Sequence, residues 1–271
     1  MTTLPLIIEP SEFEALSAAE RVLPVAVCQA QVFAAQHIPG SVLIEPAELV
    51  SGHKPAVGKL PSAEHLSALF SRIGLSEDTL VVAYDDEGGG WAGRLIWTLD
   101  VLGHQRACCL NGGLVAWLRS GLPLESGLTQ AEPSDYRARI DAGKLRTKQD
   151  VLASLGDDHT VIWDARSPQE YAGSKITALR NGHIPGAVNL DWLELMDRDN
   201  DLRLLPMDVL KSKLQHLGIE PGKQIITHCQ THHRSGLSYL LGKALGLDIY
   251  AYDGSWSEWG NDPETPIETG S

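Results

Sequence analysis

Residues 69–85, LFSRIGLSEDTLVVAYD, recur at a constant offset of 144 positions as residues 213–229, KLQHLGIEPGKQIITHC. Apolar residues coincide in the two stretches, as Phe70 does with Leu214. In each stretch apolar residues at helical spacing precede a short apolar run, a pattern typical of a helix followed by a buried strand. The chain therefore contains two copies of one helix-and-strand arrangement.

A second repeated motif supports the duplication. The sequence HIPG occurs at 37–40 and again at 183–186. A repeat of this length can bury its own core, so it indicates tandem domains and not a solenoid. We predict an α/β fold with tandem domains, each a parallel sheet flanked by helices. The expected limits are 1–125 for the first domain, 126–145 for a linker rich in Gly, Pro, Ser and acidic residues, and 146–271 for the second.

The second half places a cysteine at a sheet edge. Residues 161–165, VIWDA, predict a buried strand, and residues 167–170, SPQE, predict a helix start with a capping box. We further predict a helix over 206–217 and a strand over 224–228. Cys229 follows that strand and precedes another helical pattern, so we expect it at the carboxyl edge of the sheet, where open α/β sheets bind ligands.

Composition limits the function classes. The 271 residues carry a formal net charge of -13, which argues against general binding to nucleic acids or anionic membranes. No run approaches the ~18 apolar residues of a membrane span, and the first residues lack the pattern of a signal peptide. The four cysteines have no metal-ligand spacing. We expect a cytoplasmic protein with free thiols, and a monomer because its two domains can pair within one chain.

The surroundings of Cys229 favour a reactive thiolate. The loop CQTHHR, 229–234, leads into a helix, whose free N–H groups and positive dipole end stabilise an anion. No Asp or Glu occurs from Lys223 to Leu247. Such a thiolate can attack an anionic substrate or carry a negatively charged covalent intermediate. The alternative is that Cys229 is a small buried hydrophobe, as we expect for the other three cysteines, Cys28, Cys108 and Cys109.

The sequence resembles the rhodanese family over nearly its whole length. The motifs are DAR at 164–166, followed by Glu-Tyr at 170–171, then GHIPGAVN at 182–189 and GSWSEW at 254–259. The resemblance implies tandem rhodanese-like domains, of which the second is catalytic. The first is then a degenerate structural copy, because Asp85 stands at the position of Cys229 and cannot carry sulfur.

The resemblance also implies a sulfurtransferase. The Cys229 thiolate would take the outer sulfur of thiosulfate as a persulfide, release sulfite, and pass the sulfur to cyanide or another thiophile, with no metal or organic cofactor. We prefer thiosulfate as donor because a cationic loop suits a dianion. Beside Cys229, the residues expected to bind substrate are Gln230, Thr231, His232, His233, Arg234, Arg180 and Trp192. The two loop histidines are expected to shape the potential and not to act as general bases.

Three alternatives stay open at this point. The chain could be a mercaptopyruvate sulfurtransferase, or a persulfide carrier that supplies sulfur to a protein client. It could also be a cysteine phosphatase, because His228-Cys229 followed by Arg234 is similar to the H-C-x5-R phosphate loop. Only four residues separate Cys229 from Arg234, however, and this shorter loop suits a single sulfur atom better than a phosphoryl group.

Overall fold

The computed structural model describes residues 4–16 and 21–270, which form two compact units. The first unit comprises the chain up to Val50, Pro61–Asp141 and Asp197–Leu204. The second comprises Ser51–Leu60, Ala142–Met196 and the chain from Leu205 on. Within the described ranges, no helix is long and apolar enough to cross a membrane. The cytoplasmic location and the monomeric state stay predictions.

The first unit is built on a five-stranded sheet with the order β1-β5-β4-β2-β3, in which every pairing is parallel. Its strands are β1 Ile7–Ile8, β2 Val22–Val27, β3 Val42–Ile44, β4 Leu80–Tyr84 and β5 Ala107–Leu110. Its helices are α1 Pro10–Glu14, α2 Ala30–Ala35, α3 Ala63–Arg72, α4 Gly90–Val101 and α5 Gly113–Arg119, with a 3₁₀ turn at Pro46–Leu49. The strands are apolar on both faces because helices cover the sheet.

The second unit repeats this plan with the strand order β6-β12-β11-β7-β8, again all parallel. The strands are β6 Leu145–Arg146, β7 Thr160–Asp164, β8 Val188–Asn189, β11 Gln224–His228 and β12 Asp248–Tyr252, while β9 Met196–Asp197 pairs with β10 Arg203–Leu204. The helices are α6 Lys148–Ala153, α7 Pro168–Tyr171, α8 Met207–His216, α9 Arg234–Ala244 and α10 Ser255–Trp259, with 3₁₀ turns at Ala142–Lys144 and Trp192–Leu195.

The sequence repeat corresponds to a structural repeat. Helices α3 and α8 occupy equivalent positions at the 144-residue offset, as do strands β4 and β11. Each unit has its own apolar core. The predicted α/β fold with two parallel sheets is confirmed, and so is the capping box of α7, in which Ser167 accepts from the Glu170 N–H. The predicted helix over 206–217 is α8.

The predicted linker runs along the first unit. Two of its backbone groups bond to helices of that unit: Ser134 N donates to Ser71 O at 2.9 Å, and Asp141 N donates to Val101 O at 2.9 Å. Most residues of this stretch are nevertheless solvent-exposed. The limits predicted for the two domains, 1–125 and 146–271, stay predictions, and the compact units exchange one segment each, 51–60 and 197–204.

Candidate active site

Cys229 lies directly after β11, the central strand of the second sheet, and its side chain is fully buried. Two bonds to residues of the turn after β12 fix its backbone. Its N–H donates to Ser255 Oγ at 3.4 Å, and its carbonyl accepts from Trp256 N at 2.9 Å. Because parallel strands end at one edge of the sheet, the residues that follow β11 and β12 meet there.

The loop after Cys229 turns sharply into α9. His232 adopts a left-handed backbone conformation, with φ of 55°, and His233 caps the helix that begins at Arg234. Two further bonds hold the loop: the Gln230 carbonyl accepts from Ser257 N at 2.9 Å, and Gln230 Nε2 donates to Thr177 O at 3.0 Å.

The site favours the thiolate of Cys229. Burial raises the pKa of this thiol, but the positive charge of Arg234, the N–H and hydroxyl groups of Ser235 and the nearby His233 together hold it below its ordinary value. Ser235 Oγ also shares a hydrogen bond of 2.7 Å with His232 Nδ1. The result is a buried sulfur that carries negative charge more readily than a free thiol.

Arg234 is held by an acid that the sequence places far away. Its guanidinium forms two bonds with the carboxylate of Glu170, of 2.7 Å and 3.0 Å. Although burial opposes ionisation, Arg234 and Ser167 lower the pKa of Glu170 to about 2. The stretch without acids around Cys229 is therefore not free of negative charge in three dimensions, because Glu170 enters it from α7. The sequence placed Glu170 in the helix cap and in the Glu-Tyr motif, and neither indicated its pairing with Arg234.

A buried ion pair lies beneath the loop. Asp164, at the end of β7, accepts from Arg166 Nε at 2.9 Å, and Arg166 also donates to Gly182 O at 2.8 Å and stacks over Trp256 at 4.2 Å. His228 Nε2 lies 3.7 Å from Asp164 Oδ2. Burial lowers the pKa of His228, although the Asp164 charge opposes this shift. The resemblance had marked residues 164–166 as a motif, and the structure gives them the role of joining the ends of β7 and β11.

Two residues predicted to bind substrate, Arg180 and Trp192, do not belong to the loop 229–234. The Arg180 guanidinium donates to the carbonyls of Thr265, at 2.8 Å, and of Trp259 and Asp262. Trp192 lies with its ring centre 5.5 Å from that of His233. Arg180 thus holds the C-terminal segment in place, while Trp192 borders the loop. Their roles in substrate binding stay predictions, as do those of residues 230–234.

In the first unit an acid, Asp85, stands at the position of Cys229, directly after strand β4. The side chain of Asp85 is buried, and its carboxylate accepts five backbone N–H bonds of 2.8–3.2 Å, from Glu87, Gly88, Gly89, Trp91 and Ala92. Burial and the nearby Glu87 raise the pKa of Asp85, whereas these donors favour its ionised form. The loop of this unit is thus a cradle of N–H groups for one carboxyl group, that of Asp85.

The other three cysteines have a different environment. Cys28, Cys108 and Cys109 are buried free thiols in the first unit. Burial raises the pKa of Cys28 and of Cys108 to about 12, and it holds that of Cys109 well above its ordinary value. Their predicted role as core thiols is consistent with these positions, and they contrast with Cys229, whose pKa is lowered.

Comparison with known proteins assigns the fold to a family. The model of the rhodanese-like domain matches residues 9–120 and 147–262. The chain is 46% identical to a thiosulfate sulfurtransferase of Azotobacter vinelandii over 267 residues, 98% of either protein, and 44% identical to one of Pseudomonas aeruginosa over 266 residues, 98% of this chain and 97% of that protein. It is 33% identical to the sulfur carrier protein TtuD of Thermus thermophilus over 251 residues, 86% of either protein.

Solved structures agree on the fold. The structure of YnjE superposes with a TM-score of 0.82 at 23% identity, and the match covers 98% of this chain and 68% of that one. Three observations lead to one assignment: the chain holds two copies of the family domain, both units share one sheet order, and a cysteine follows the central strand of the second unit. The chain belongs to the rhodanese family.

Proposed function

We propose that this chain is a thiosulfate sulfurtransferase that carries sulfur as a persulfide on Cys229. The observation that supports this most directly is the position of the Cys229 thiol. Cys229 stands at the position that Asp85 holds in the first unit, where five N–H groups donate to the side-chain carboxyl group. A terminal persulfide sulfur is anionic and needs such donors.

The first step is attack on the donor. The Cys229 thiolate forms a bond with the outer sulfur of thiosulfate, and the bond between the two thiosulfate sulfurs breaks, so that sulfite leaves with the electron pair. Arg234 and His233 both lower the pKa of Cys229, and the positive charge of Arg234 also favours the approach of a dianion to a chain of net charge -13. In this step Arg234 keeps its bonds to Glu170 and acts through its charge.

The second step returns the thiolate. Cyanide, or another thiophile, attacks the outer sulfur of the persulfide, and the S–S bond breaks toward Cys229, which regains its negative charge. Between the two steps the outer sulfur would be held by backbone donors. We infer the donors from the sequence repeat: the N–H groups of Thr231, His232, His233 and Ser235 stand, at the 144-residue offset, at the positions of four that bind Asp85.

Thiocyanate formation from thiosulfate and cyanide tests the proposal, with mercaptopyruvate as the alternative donor and Cys229→Ala as control. We expect turnover with thiosulfate that the substitution abolishes. Wild type treated with thiosulfate should gain the mass of one sulfur atom, about 32 Da, at Cys229 and lose it on addition of cyanide. Faster turnover with mercaptopyruvate would assign the chain to the other donor, and a gain of mass at Cys108 would exclude Cys229 as the carrier.

A structural difference between the units favours a second candidate, a persulfide carrier with a protein acceptor. Four positions separate Phe33 from His37, whereas twelve separate Tyr171 from His183, although each aromatic ring stacks on its histidine in the same way. The unit that carries Cys229 therefore has eight additional residues at this point.

These additional residues form an anchored loop with an apolar outer surface. Its Thr177 carbonyl accepts from Gln230, its Leu179 N–H donates to Asn261 at 3.0 Å, and the side chains of Ile176 and Leu179 are 78% and 83% exposed. A small anionic donor gains nothing from exposed aliphatic groups, whereas a protein can bury them. A protein acceptor is consistent with this arrangement.

The carrier role is tested by comparing two acceptors. Sulfur transfer from loaded protein to dithiothreitol and to a protein dithiol should be measured for wild type and for Ile176→Ser combined with Leu179→Ser. A loss confined to the protein dithiol would support docking on this loop. Equal rates in the variant and in wild type would exclude it.

A further inference from the structure

Residues 51–60, here called the arm, pack within the second unit although they precede α3 in the sequence. The arm closes on itself through two backbone bonds: Ser51 N donates to Lys59 O at 2.7 Å, and Gly52 N donates to Val57 O at 3.0 Å. A closed loop of this kind holds its own shape. The arm can therefore hold the residues that it contacts in a fixed position.

Two polar contacts attach the arm to the segment that supports the catalytic loop. Leu60 N donates to Asp253 Oδ2 at 2.8 Å, and Lys59 Nζ pairs with Glu258 Oε1 at 2.7 Å. Between Asp253 and Glu258 lie the residues whose N–H groups bind the carbonyls of the first two loop residues. The arm and the loop thus rest on the same short segment.

The arm also touches the catalytic loop directly at Gly58. This residue is buried, and a Cβ placed on it would lie 2.1 Å from Thr231 O and 2.6 Å from Thr231 C. Real Cβ atoms essentially never come within 3.0 Å of such an atom, and both atoms here belong to the backbone. Space, and not backbone conformation, therefore requires glycine at position 58.

The Thr231 carbonyl matters because of the peptide group to which it belongs. The carbonyl of Thr231 and the N–H of His232 lie in one plane and point in opposite directions. At the equivalent position of the first unit, the N–H of Gly88 donates to Asp85 Oδ1 at 3.1 Å, and Gly88 also has a positive φ, 103° against 55° for His232. A contact that fixes the direction of the Thr231 carbonyl also fixes the direction of the His232 N–H. His232 has a left-handed backbone, which an isolated loop would rarely adopt.

We propose that Gly58 is a positioning residue for sulfur transfer: its contact with the Thr231 carbonyl holds the His232 N–H toward the sulfur of Cys229. The proposal rests on the proposed function, because the group to be held is the persulfide. It gives the first half of the chain a role in the catalytic site, through the arm and not through the Asp85 loop.

The test is Gly58→Ala, with Gly52→Ala as matched control. Gly52 lies in the same arm, has φ of 71° and has no atom within 4 Å of an added Cβ, so its substitution strains the arm without pushing on the loop. A displacement of about 1 Å in a reacting group can cost on the order of 100-fold in rate. We expect Gly58→Ala to lower kcat by roughly 10- to 100-fold with a smaller change in KM, and Gly52→Ala to stay within about threefold of wild type.

A second readout needs no sulfur donor. The rate of Cys229 alkylation by iodoacetamide as a function of pH reports the fraction of thiolate, so a cradle with one donor turned away should shift this profile to higher pH in Gly58→Ala. A general loss of stability alone would not move the profile. If wild type gains no sulfur from thiosulfate, the proposed function fails, whereas the alkylation profile still tests the contact of Gly58.

A milder variant covers the case in which Gly58→Ala does not fold. Lys59→Met releases the arm from Glu258 without a clash and should shift the alkylation profile in the same direction by a smaller amount. If Gly58→Ala folds with wild-type kcat and an unchanged alkylation profile, the proposal is wrong. If it does not fold, an unchanged profile in Lys59→Met has the same meaning.

Discussion

The carboxylate of Asp85 is predicted to stabilise the first unit through the bonds that its loop donates. Asp85→Ala removes an acceptor of five N–H groups. Of the five bonds, those from Gly88 and Ala92 are buried, and those from Glu87, Gly89 and Trp91 are partly buried. In Asp85→Ala the three partly buried N–H groups can donate to water instead, but the two buried ones are left without an acceptor.

The size of the effect follows from this count. An orphaned buried donor costs about 1–3 kcal/mol, so the two together cost about 2–6 kcal/mol. The substitution also removes the free-energy cost of burying the carboxylate, and this offsets part of the destabilisation. We expect a net destabilisation of about 3 kcal/mol, which corresponds to roughly 6–12 °C in Tm for a chain of this size.

The assay is thermal unfolding followed by circular dichroism, with thiocyanate formation measured on the same samples. The matched control is Cys229→Ala at the equivalent position of the second unit. This variant should lose activity but less than about 1.5 kcal/mol of stability, because it removes one small sulfur atom. Asp85→Ala should show the opposite result, with lower stability and activity close to that of wild type below its Tm.

A second control separates the cradle from a general effect of charge. Asp86→Ala removes the neighbouring carboxylate, to which none of the five N–H groups donates, and should change the stability by less than about 0.5 kcal/mol. The reasoning would be refuted if Asp85→Ala melted within about 2 °C of wild type, since the five bonds would then contribute little net free energy.

Three further predictions concern the second unit and the core thiols. Arg234→Gln should raise the pKa of Cys229, seen as a shift of its alkylation profile toward that of a free thiol at about 8.5, whereas a profile equal to wild type would exclude Arg234 as the main stabilising charge. Because the pKa of Glu170 in the folded protein is lowered to about 2, its stabilising contribution is complete above the unfolded value of about 4.3 and is lost as pH falls toward 2. The free energy of unfolding, measured with urea, should therefore differ less between pH 3 and pH 7 in Glu170→Gln than in wild type. Cys108 should resist alkylation in folded protein at pH 8 and react after unfolding, as mass spectrometry can show, and rapid native reaction would contradict its burial.

The sequence predicted the parts of the fold that depend on local patterns. The 144-residue repeat predicted two copies of one plan, and α8 and β11 lie where the apolar spacing placed them, to within one residue. The SPQE capping box predicted the start of α7, since each of its bonds joins residues three positions apart. The position of Cys229 after a buried strand was predicted for the same reason, because strand, loop and helix follow one another along the chain.

The chemistry of the loop was only partly visible in the sequence. The absence of acids from Lys223 to Leu247 predicted a cationic site, yet Glu170 reaches Arg234 from 64 positions away. Nothing in the sequence singled out Ser235, because a serine in the first turn of a helix is ordinary; its hydrogen bonds to the Cys229 sulfur give it a role. In the DDEGGG loop of the first unit, residues 85–90, Asp85 is bound by N–H groups of its own loop and of the helix that follows, which the acidic sequence did not indicate.

Short-range patterns in the sequence were enough to predict the duplication and the parallel α/β plan, because apolar periodicity, caps and helix termini act over a few residues. The same patterns predict Cys229 as the reactive cysteine, and that assignment stays a prediction. Tertiary structure alone decided which side chains surround the thiolate and where the arm lies. Gly58 and Thr231 lie 173 positions apart in the sequence, and no local pattern marks their contact. The contact forms only when distant parts of the chain fold together within the second unit, so no short stretch of sequence contains it.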